Sequence, residues 1–385
     1  MTPSGLRNAP DVVDVVALDE SMVTFLPSRP GRLADVPSFE RAIGGAESNV
    51  VCVLAAAGHS ARWVSRVGAD GFGDHLVETI GSYGVDVASV RRDTARPTGV
   101  YFRTAGDRAT DAHEVAYYRT GSAASAMTAG NVDLGAVRAG RVLHLSGITA
   151  ALSGECLALL RELTSPRPGR PLVSFDVNHR PGLWRDARGP DVLLELARRA
   201  DLVFVGEDEA EQAWGLSGGP EAVREIFPEP GVLVVKQGAR GATVFLRPTA
   251  GSRAAGAAPA PKSAGTPPAP GRAAHPRPAS APGPSQPAAF VPAPHVDIAA
   301  ATGAGDAFAA GFLSATLRGL PLRDRLRHGH LWAAAALTTP GDLATPPTRH
   351  HADRLAALDD DSWGTLRLGP GWTHTEEAPE EARTP

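Results

Sequence analysis

The chain predicts an α/β fold, a mostly parallel sheet covered on both faces with a small second sheet beside it. Two observations carry this expectation. Short apolar runs alternate with helix-like segments along most of the 385 residues, and two further segments alternate polar with apolar residues. The apolar runs are Val12–Leu18, Arg62–Val67, Arg141–Ser146, Leu172–Asp176, Leu202–Val205 and Val232–Lys236. Their near-continuous hydrophobicity suits strands buried on both faces. The helix-like stretches Ser48–Ala57, Gly73–Tyr83, Pro190–Arg199 and Glu207–Trp214 lie between most of them. In open sheets built this way, ligands bind beyond the C-terminal strand ends. The alternating segments, Met22–Ile43 and Gly99–Tyr118, read either as a lid over such a site or as an ordinary pair of edge hairpins.

The folded unit is expected over residues 11–248 and 290–365, with the lid drawn from about 20–45 and 98–120. Residues 249–289 are dominated by Ala, Pro, Gly and Ser without a hydrophobic period, and so predict a disordered insertion in a surface loop. Residues 366–385 are expected to be a disordered tail. A net charge of -4 gives no argument for a nucleic acid or membrane partner. No apolar run reaches the length of a membrane span, and Met1–Pro10 lacks the apolar core of a signal peptide. Cys52 and Cys156 stand in no metal-type spacing; as buried free thiols they fit a cytoplasmic protein.

The most informative stretch is Ala301-Thr302-Gly303-Ala304-Gly305-Asp306-Ala307-Phe308, followed by an apolar segment to Leu317. A glycine turn feeding a buried helix leaves backbone N–H groups free to bind phosphate. An acidic residue on the first turn can take a proton from an attacking hydroxyl. Phosphoryl transfer needs positioning, charge stabilisation and one base. A small-residue helix cap would read the same way in isolation. The run resembles the C-terminal motif of the ribokinase-like (PfkB) carbohydrate kinases, Asp-Thr-x-Gly-Ala-Gly-Asp. That family implies a three-layer α/β/α sandwich with a β lid, and ATP with Mg²⁺. Asp306 would be the base, and Gly303, Ala304 and Gly305 the anion-binding turn.

Gly44-Gly45-Ala46-Glu47-Ser48-Asn49 precedes an apolar helix-like run. Paired glycines allow close backbone approach to a ligand, while Ser48 or Asn49 would serve equally as a helix cap. The run resembles the family's N-terminal glycine motif in the version of the 2-keto-3-deoxygluconate kinases, where Gly44 to Ser48 would lie along the sugar and Asn49 would close the motif. Tyr101, Tyr117 and Arg119 sit in strand-like pieces. An Arg beside tyrosines can grip a carboxylate bidentately, although tyrosines in strands usually only pack. The same kinases have sugar-acid contacts at these positions. Asp342 falls where that subgroup has a late substrate contact.

Asp176-Val177-Asn178-His179-Arg180 follows a predicted buried strand and resembles the family's Asp-x-Asn-x-Arg run. There Arg180 would stand between substrate and transferring phosphate, with Asn178 on the ATP side; a loop salt bridge is the other reading of Arg180. Lys236-Gln237-Gly238-Ala239-Arg240-Gly241 matches the family's turn beside the nucleotide, assigning Lys236, Gly238 and Gly241 to ATP; hairpin geometry alone also explains the glycines. Glu209 matches the Glu of an Asn-x-x-Glu pattern tied to Mg²⁺, with Gly206 in place of its Asn. Ala300 stands where the family has an Asp of its monovalent-cation site, which argues against K⁺ activation, and Asp19 replaces a Gly after the first strand.

These residues point to an ATP-dependent kinase acting on the 6-hydroxyl of 2-keto-3-deoxy-D-gluconate. Its partners would be the sugar acid, ATP and, by the resemblance, a second copy docked through the lid. A kinase of the same fold for a neutral ketose (fructose or ribose) or a nucleoside is the alternative. A non-catalytic sugar or nucleotide sensor is the alternative from another class, motivated by Ala300, Gly206 and Asp19.

Overall fold

A computed structural model describes residues 11–29, 31–104, 114–184, 187–247, 286–300, 302–339 and 341–374. Strand–helix alternation closes into an eight-stranded sheet. Its order is Ala289–Val291, Ala242–Leu246, Val232–Lys236, Leu202–Gly206, Leu172–Asp176, Gly140–Ser146, Val13–Leu18, Ala61–Val64. Five consecutive pairings, from Val232–Lys236 to Ala61–Val64, are parallel; the two involving Ala242–Leu246 are antiparallel. The strand period of two explains the continuous apolar runs. Leu202 and Phe204 enter the core on one face, and Val203 and Val205 enter that on the other. The first core packs under helices Ala46–Ala56, Ala304–Leu317 and Leu322–Leu337. The second packs under Gly154–Thr164, Gly189–Arg198, Glu207–Trp214 and Gly219–Ile226.

After Val13–Leu18 the chain crosses to Ala61–Val64 on one side and later returns to Gly140–Ser146 on the other. The order reverses there, which opens a crevice at the C-terminal strand ends. A separate four-stranded sheet stands over it, in the order Phe39–Gly44, Met22–Pro27, Val100–Arg103, Val115–Tyr118. Tyr101 pairs with Tyr117 and Thr24, while Phe102 pairs with Ala116 and Phe25. One face of this sheet therefore presents Tyr101 and Tyr117 to the crevice. The other carries stacked Phe25 and Phe102, with Phe39, Phe72 and Tyr118 edge-on around them.

Three sequence expectations need correction. The run Arg62–Val67 is not one strand: Ala61–Val64 joins the main sheet, whereas Arg66–Gly68 pairs with Arg91–Asp93. At the break, Ser65 donates to the Asp19 carbonyl at 2.5 Å. The helix expected from Ser48 starts at Ala46. The chain also stays packed beyond 365, because Arg367–Leu368 pairs with His295–Val296 and both Leu368 and Trp372 are buried. The expected insertion lies outside the described residues except for 286–289, of which Ala289 opens a strand, and so does the tail from 375. Among the described residues, no helix is long and apolar enough to cross a membrane.

Candidate active site

The crevice under the lid is a cleft of about 510 Å³. Two helices aim their N-termini into it. Helix Ala304–Leu317 brings Asp306 on its first turn, and helix Ala46–Ala56 brings Asn49. The Asn49 amide donates to Asp306 Oδ2 at 2.9 Å, so the two glycine motifs, far apart in sequence, meet in one hydrogen bond. Burial pushes the Asp306 carboxyl up to about 7. Repulsion from Asp176 adds to this, while the Asn49 hydrogen bond, Lys236 and Arg180 oppose it.

Gly303 caps the helix in the left-handed region, with φ of 79°. A Cβ there would also collide with the Asp342 carbonyl oxygen, so only glycine fits. The N–H groups that open the helix at Ala304, Gly305 and Asp306 have no partner within it. At the other motif, a Cβ on Gly44 would collide with the Tyr101 hydroxyl, and one on Gly45 with Ser48 and Ser21.

Of the residues expected along the sugar, Gly44, Gly45, Ala46 and Asn49 line the cleft, but Glu47 and Ser48 do not. Each helical residue advances about 100° around the axis, so 46 and 49 share a face and 47 and 48 turn inward. Glu47 accepts from Thr149 Oγ1 at 3.1 Å, and burial holds its carboxyl well above the ordinary carboxylate range. The Ser48 N–H donates to Asp19 Oδ2 at 3.0 Å. Asp19 thus supplies the cap acceptor that Gly45 cannot, and it also accepts from the Trp63 indole. This explains an Asp where the resemblance expects Gly.

On the lid, Tyr101, Tyr117 and Arg119 all line the cleft. Arg119 is already paired. Its Nε donates to Glu20 Oε2 at 2.7 Å, Nη2 lies 2.5 Å from the same oxygen, and Ser122 Oγ donates to Oε1. Sequence reasoning missed Glu20; its place at the end of the first strand, beside the switch point, was the available signal. Asp342 lies in the cleft with both oxygens engaged by the lid, Oδ2 by the Tyr101 hydroxyl at 3.0 Å and Oδ1 by Arg103 at 2.5 Å. Arg103, also missed, donates to Thr302 Oγ1 at 2.8 Å as well. The period of two places it on the Tyr101 face.

At the far end, Asp176, Asn178, Arg180, Glu209 and Lys236 line the cleft. Lys236 Nζ donates to Asp176 Oδ2 at 2.9 Å. Burial works against the Lys236 charge, but Asp176 and Glu209 outweigh it and hold its pKa above the ordinary value. Glu209 accepts from the Gly206 N–H at 2.8 Å and stands 3.6 Å from Arg180 Nη1; burial raises its carboxyl. Arg180 is 55% exposed, free enough to turn toward a ligand. Asn178 has φ of 41°, the left-handed region that non-glycine residues rarely enter and that is often held at functional sites. Asp176 Oδ1, Asn178 Oδ1 and Asn49 Oδ1 are buried without a protein partner. Gly238 is solvent-exposed, and neither it, Gly241 nor the Ala304 side chain lines the cleft.

Residues 12–264 and 284–349 match the pfkB family carbohydrate kinase pattern. A 2-dehydro-3-deoxygluconokinase of Bacillus subtilis (strain 168) is 30% identical over 355 residues, covering 90% of this chain and 95% of that protein. One from Thermoproteus tenax is 34% identical over 63% of this chain and 74% of its own length. Fructokinase-1 of Zea mays is 30% identical over 60% and 73% respectively. Among solved structures, a sugar kinase of Pyrococcus horikoshii in complex with ATP aligns with a TM-score of 0.69 and 21% identity, covering 91% of this chain and 99% of that one; it shows the shared fold. The protein is therefore a phosphotransferase: the chain belongs to the pfkB family of carbohydrate kinases.

Proposed function

We propose that the chain is an ATP-dependent kinase that phosphorylates the 6-hydroxyl of 2-keto-3-deoxy-D-gluconate. The carrying observation is that Tyr101, Tyr117 and Arg119 line the same cleft as Asp306. In this reading Asp306 accepts the proton of the terminal hydroxyl, and a carboxyl held near 7 is matched to that task at neutral pH. The N–H groups of the Gly303-Ala304-Gly305 turn and the Arg180 guanidinium hold the negative oxygens of the transferring group. Gly44, Gly45 and Asn49 border the sugar. Asn178 and Lys236 hold the ATP side, and Gly238 and Gly241 enter only as the turn that follows Lys236.

Mg²⁺ neutralises phosphate charge when bound. The orphaned Asp176 Oδ1 and Asn178 Oδ1, with Glu209 beside them, are hard oxygen donors suited to it, directly or through water. No group of three or more His, Cys, Asp or Glu able to hold a metal occurs among the described residues, so phosphate and water would complete the shell. Ala300 offers no side-chain oxygen, which argues against K⁺ activation. The aromatic outer face of the lid supports a homodimer through it. Tyr118 is 66% exposed on that face, and Phe72, packed edge-on against Phe25 from helix Gly71–Ser82, is 38% exposed. The buried free thiols Cys52 and Cys156 favour the reducing cytoplasm.

The Glu20–Arg119 pair favours a second reading, a neutral ketose, because the guanidinium already has a carboxylate from the chain itself. The fructokinase relative points the same way. ADP release with Mg²⁺-ATP, against sugar acids, neutral ketoses and nucleosides with and without K⁺, tests both. Turnover confined to 2-keto-3-deoxy sugar acids supports the first reading. Preference for fructose, ribose or a nucleoside overturns it and leaves the role of Asp306 standing.

A further inference from the structure

Arg103 has no part in the roles above, yet it joins three pieces of the site. It ends lid strand Val100–Arg103, two residues after Tyr101 and on the same face. One guanidinium nitrogen donates to Thr302 Oγ1 at 2.8 Å, and the other to Asp342 Oδ1 at 2.5 Å. Asp342 is almost fully buried, and its second oxygen accepts from Tyr101. Thr302 immediately precedes Gly303, the left-handed residue that starts the catalytic helix. Gly303 itself lies so close to the Asp342 carbonyl that no Cβ fits between them. The anion-binding turn is thus wedged against the Asp342 segment, and Arg103 fastens both to the lid.

We propose that Arg103 is a positioning residue that couples the seated lid to the alignment of the Gly303–Gly305 amides. It touches neither reacting group. It fixes Thr302, and through Thr302 the turn whose N–H groups must meet the transferring oxygens. Small misplacements of such donors slow the chemical step without weakening ground-state binding. The planar fork of Arg satisfies two acceptors at a fixed angle, which a Lys ammonium on a flexible stem does not reproduce. The inference rests on the kinase activity and not on which sugar is used.

The test uses the full chain with whichever sugar the wild type phosphorylates fastest. Arg103→Met should lower kcat ~10- to 100-fold while KM for ATP stays within about threefold. Arg103→Lys should fall between Met and wild type. Thr302→Val, a change at an exposed residue, should lower kcat without lowering the melting temperature. The double variant should be no slower than Arg103→Met alone, because both remove the same coupling. Unchanged kcat in Arg103→Met, a rise confined to the sugar KM, or fully additive losses in the double variant would overturn the proposal. Should Arg103→Met fail to fold, Thr302→Val decides: a kcat equal to wild type refutes the coupling, and a lowered kcat at unchanged stability supports it.

Discussion

Glu20 closes its carboxylate on the Arg119 guanidinium, with Oε2 2.7 Å from Nε, inside the cleft where a substrate acid group would have to approach. Glu20 is buried and the Arg119 side chain only 9% exposed, so the pair is a fixed electrostatic element of that end of the cleft.

The sign of a Glu20 substitution therefore reports the substrate's charge. Glu20→Gln keeps an acceptor for Arg119 but removes the opposing charge. If the substrate is a sugar acid, its KM should fall several-fold while a neutral analogue is unaffected. Arg119→Leu should raise the acid's KM ~10-fold or more, the worth of a charge-assisted hydrogen bond. Arg119→Leu alone also strands a buried carboxylate, at ~3–5 kcal/mol of stability, so it should melt below the Glu20→Gln/Arg119→Leu double variant. Steady-state kinetics and thermal melts on these three proteins check each point. Equal effects on acid and neutral sugars would refute the carboxylate role.

Asp306 must be ionised to act as a base, and burial places its pKa at about 7. We expect kcat/KM to rise with pH through that value. Asn49 stabilises the charged form by its 2.9 Å hydrogen bond, so Asn49→Ala should move this acid limb upward. A pH–rate profile for the two proteins measures the shift, and a downward displacement would contradict the assignment.

Asp306→Asn should lower kcat by ~10²–10⁴-fold, the usual loss of a general base. Its effect on stability has the opposite sign. The folded-state pKa lies above the ordinary 3.8, so the stability this group contributes is complete below 3.8 and is lost as pH rises through about 7. At pH 8 the wild type carries a penalised buried charge that Asn lacks. Thermal melts should therefore favour Asp306→Asn at pH 8, with the difference closing toward pH 5.

Gly303→Ala forces a Cβ into a left-handed residue and against the Asp342 carbonyl. The backbone conformation alone costs ~1–2 kcal/mol. Displacing the anion-binding turn should lower kcat ~100-fold. Gly169→Ala makes the control. Its φ of 69° carries a similar strain, but it is exposed and lies outside the cleft, so stability should fall and kcat should hold. Equal kcat in the two variants would refute the role of the turn.

The lid's outer aromatic face should hold a homodimer. Sedimentation is expected to give a dimer for the wild type and a monomer for Phe72→Glu/Tyr118→Arg, two exposed positions around the Phe25–Phe102 stack. A monomeric wild type at micromolar concentration would dismiss that interface.

Local pattern was enough for most elements. Leu172–Asp176, Val232–Lys236 and Glu207–Trp214 have the bounds the sequence predicts, because strand and helix periods are written in neighbouring residues. The glycine motifs around Gly44 and Gly303 were legible for the same reason: each is a short turn with its chemistry beside it. Ser65 shows the limit. The apolar run continues through it, but the strand breaks where its hydroxyl finds the Asp19 carbonyl.

What the sequence by itself determined is the kit: a parallel sheet, a lid, a glycine turn that opens a buried helix, and an acidic residue on that helix's first turn. Which charges face one another was decided only by the tertiary structure. Arg119 with Glu20, Arg103 with Asp342 and Thr302, and Asn49 with Asp306 join residues about 100 to 260 positions apart. So was the turning of Glu47 and Ser48 away from the cleft, inside a motif that reads as one unit. The physical reason is range. Periodicity and turn chemistry act over a few residues, whereas an ion pair forms wherever crossover connections bring two strand ends together.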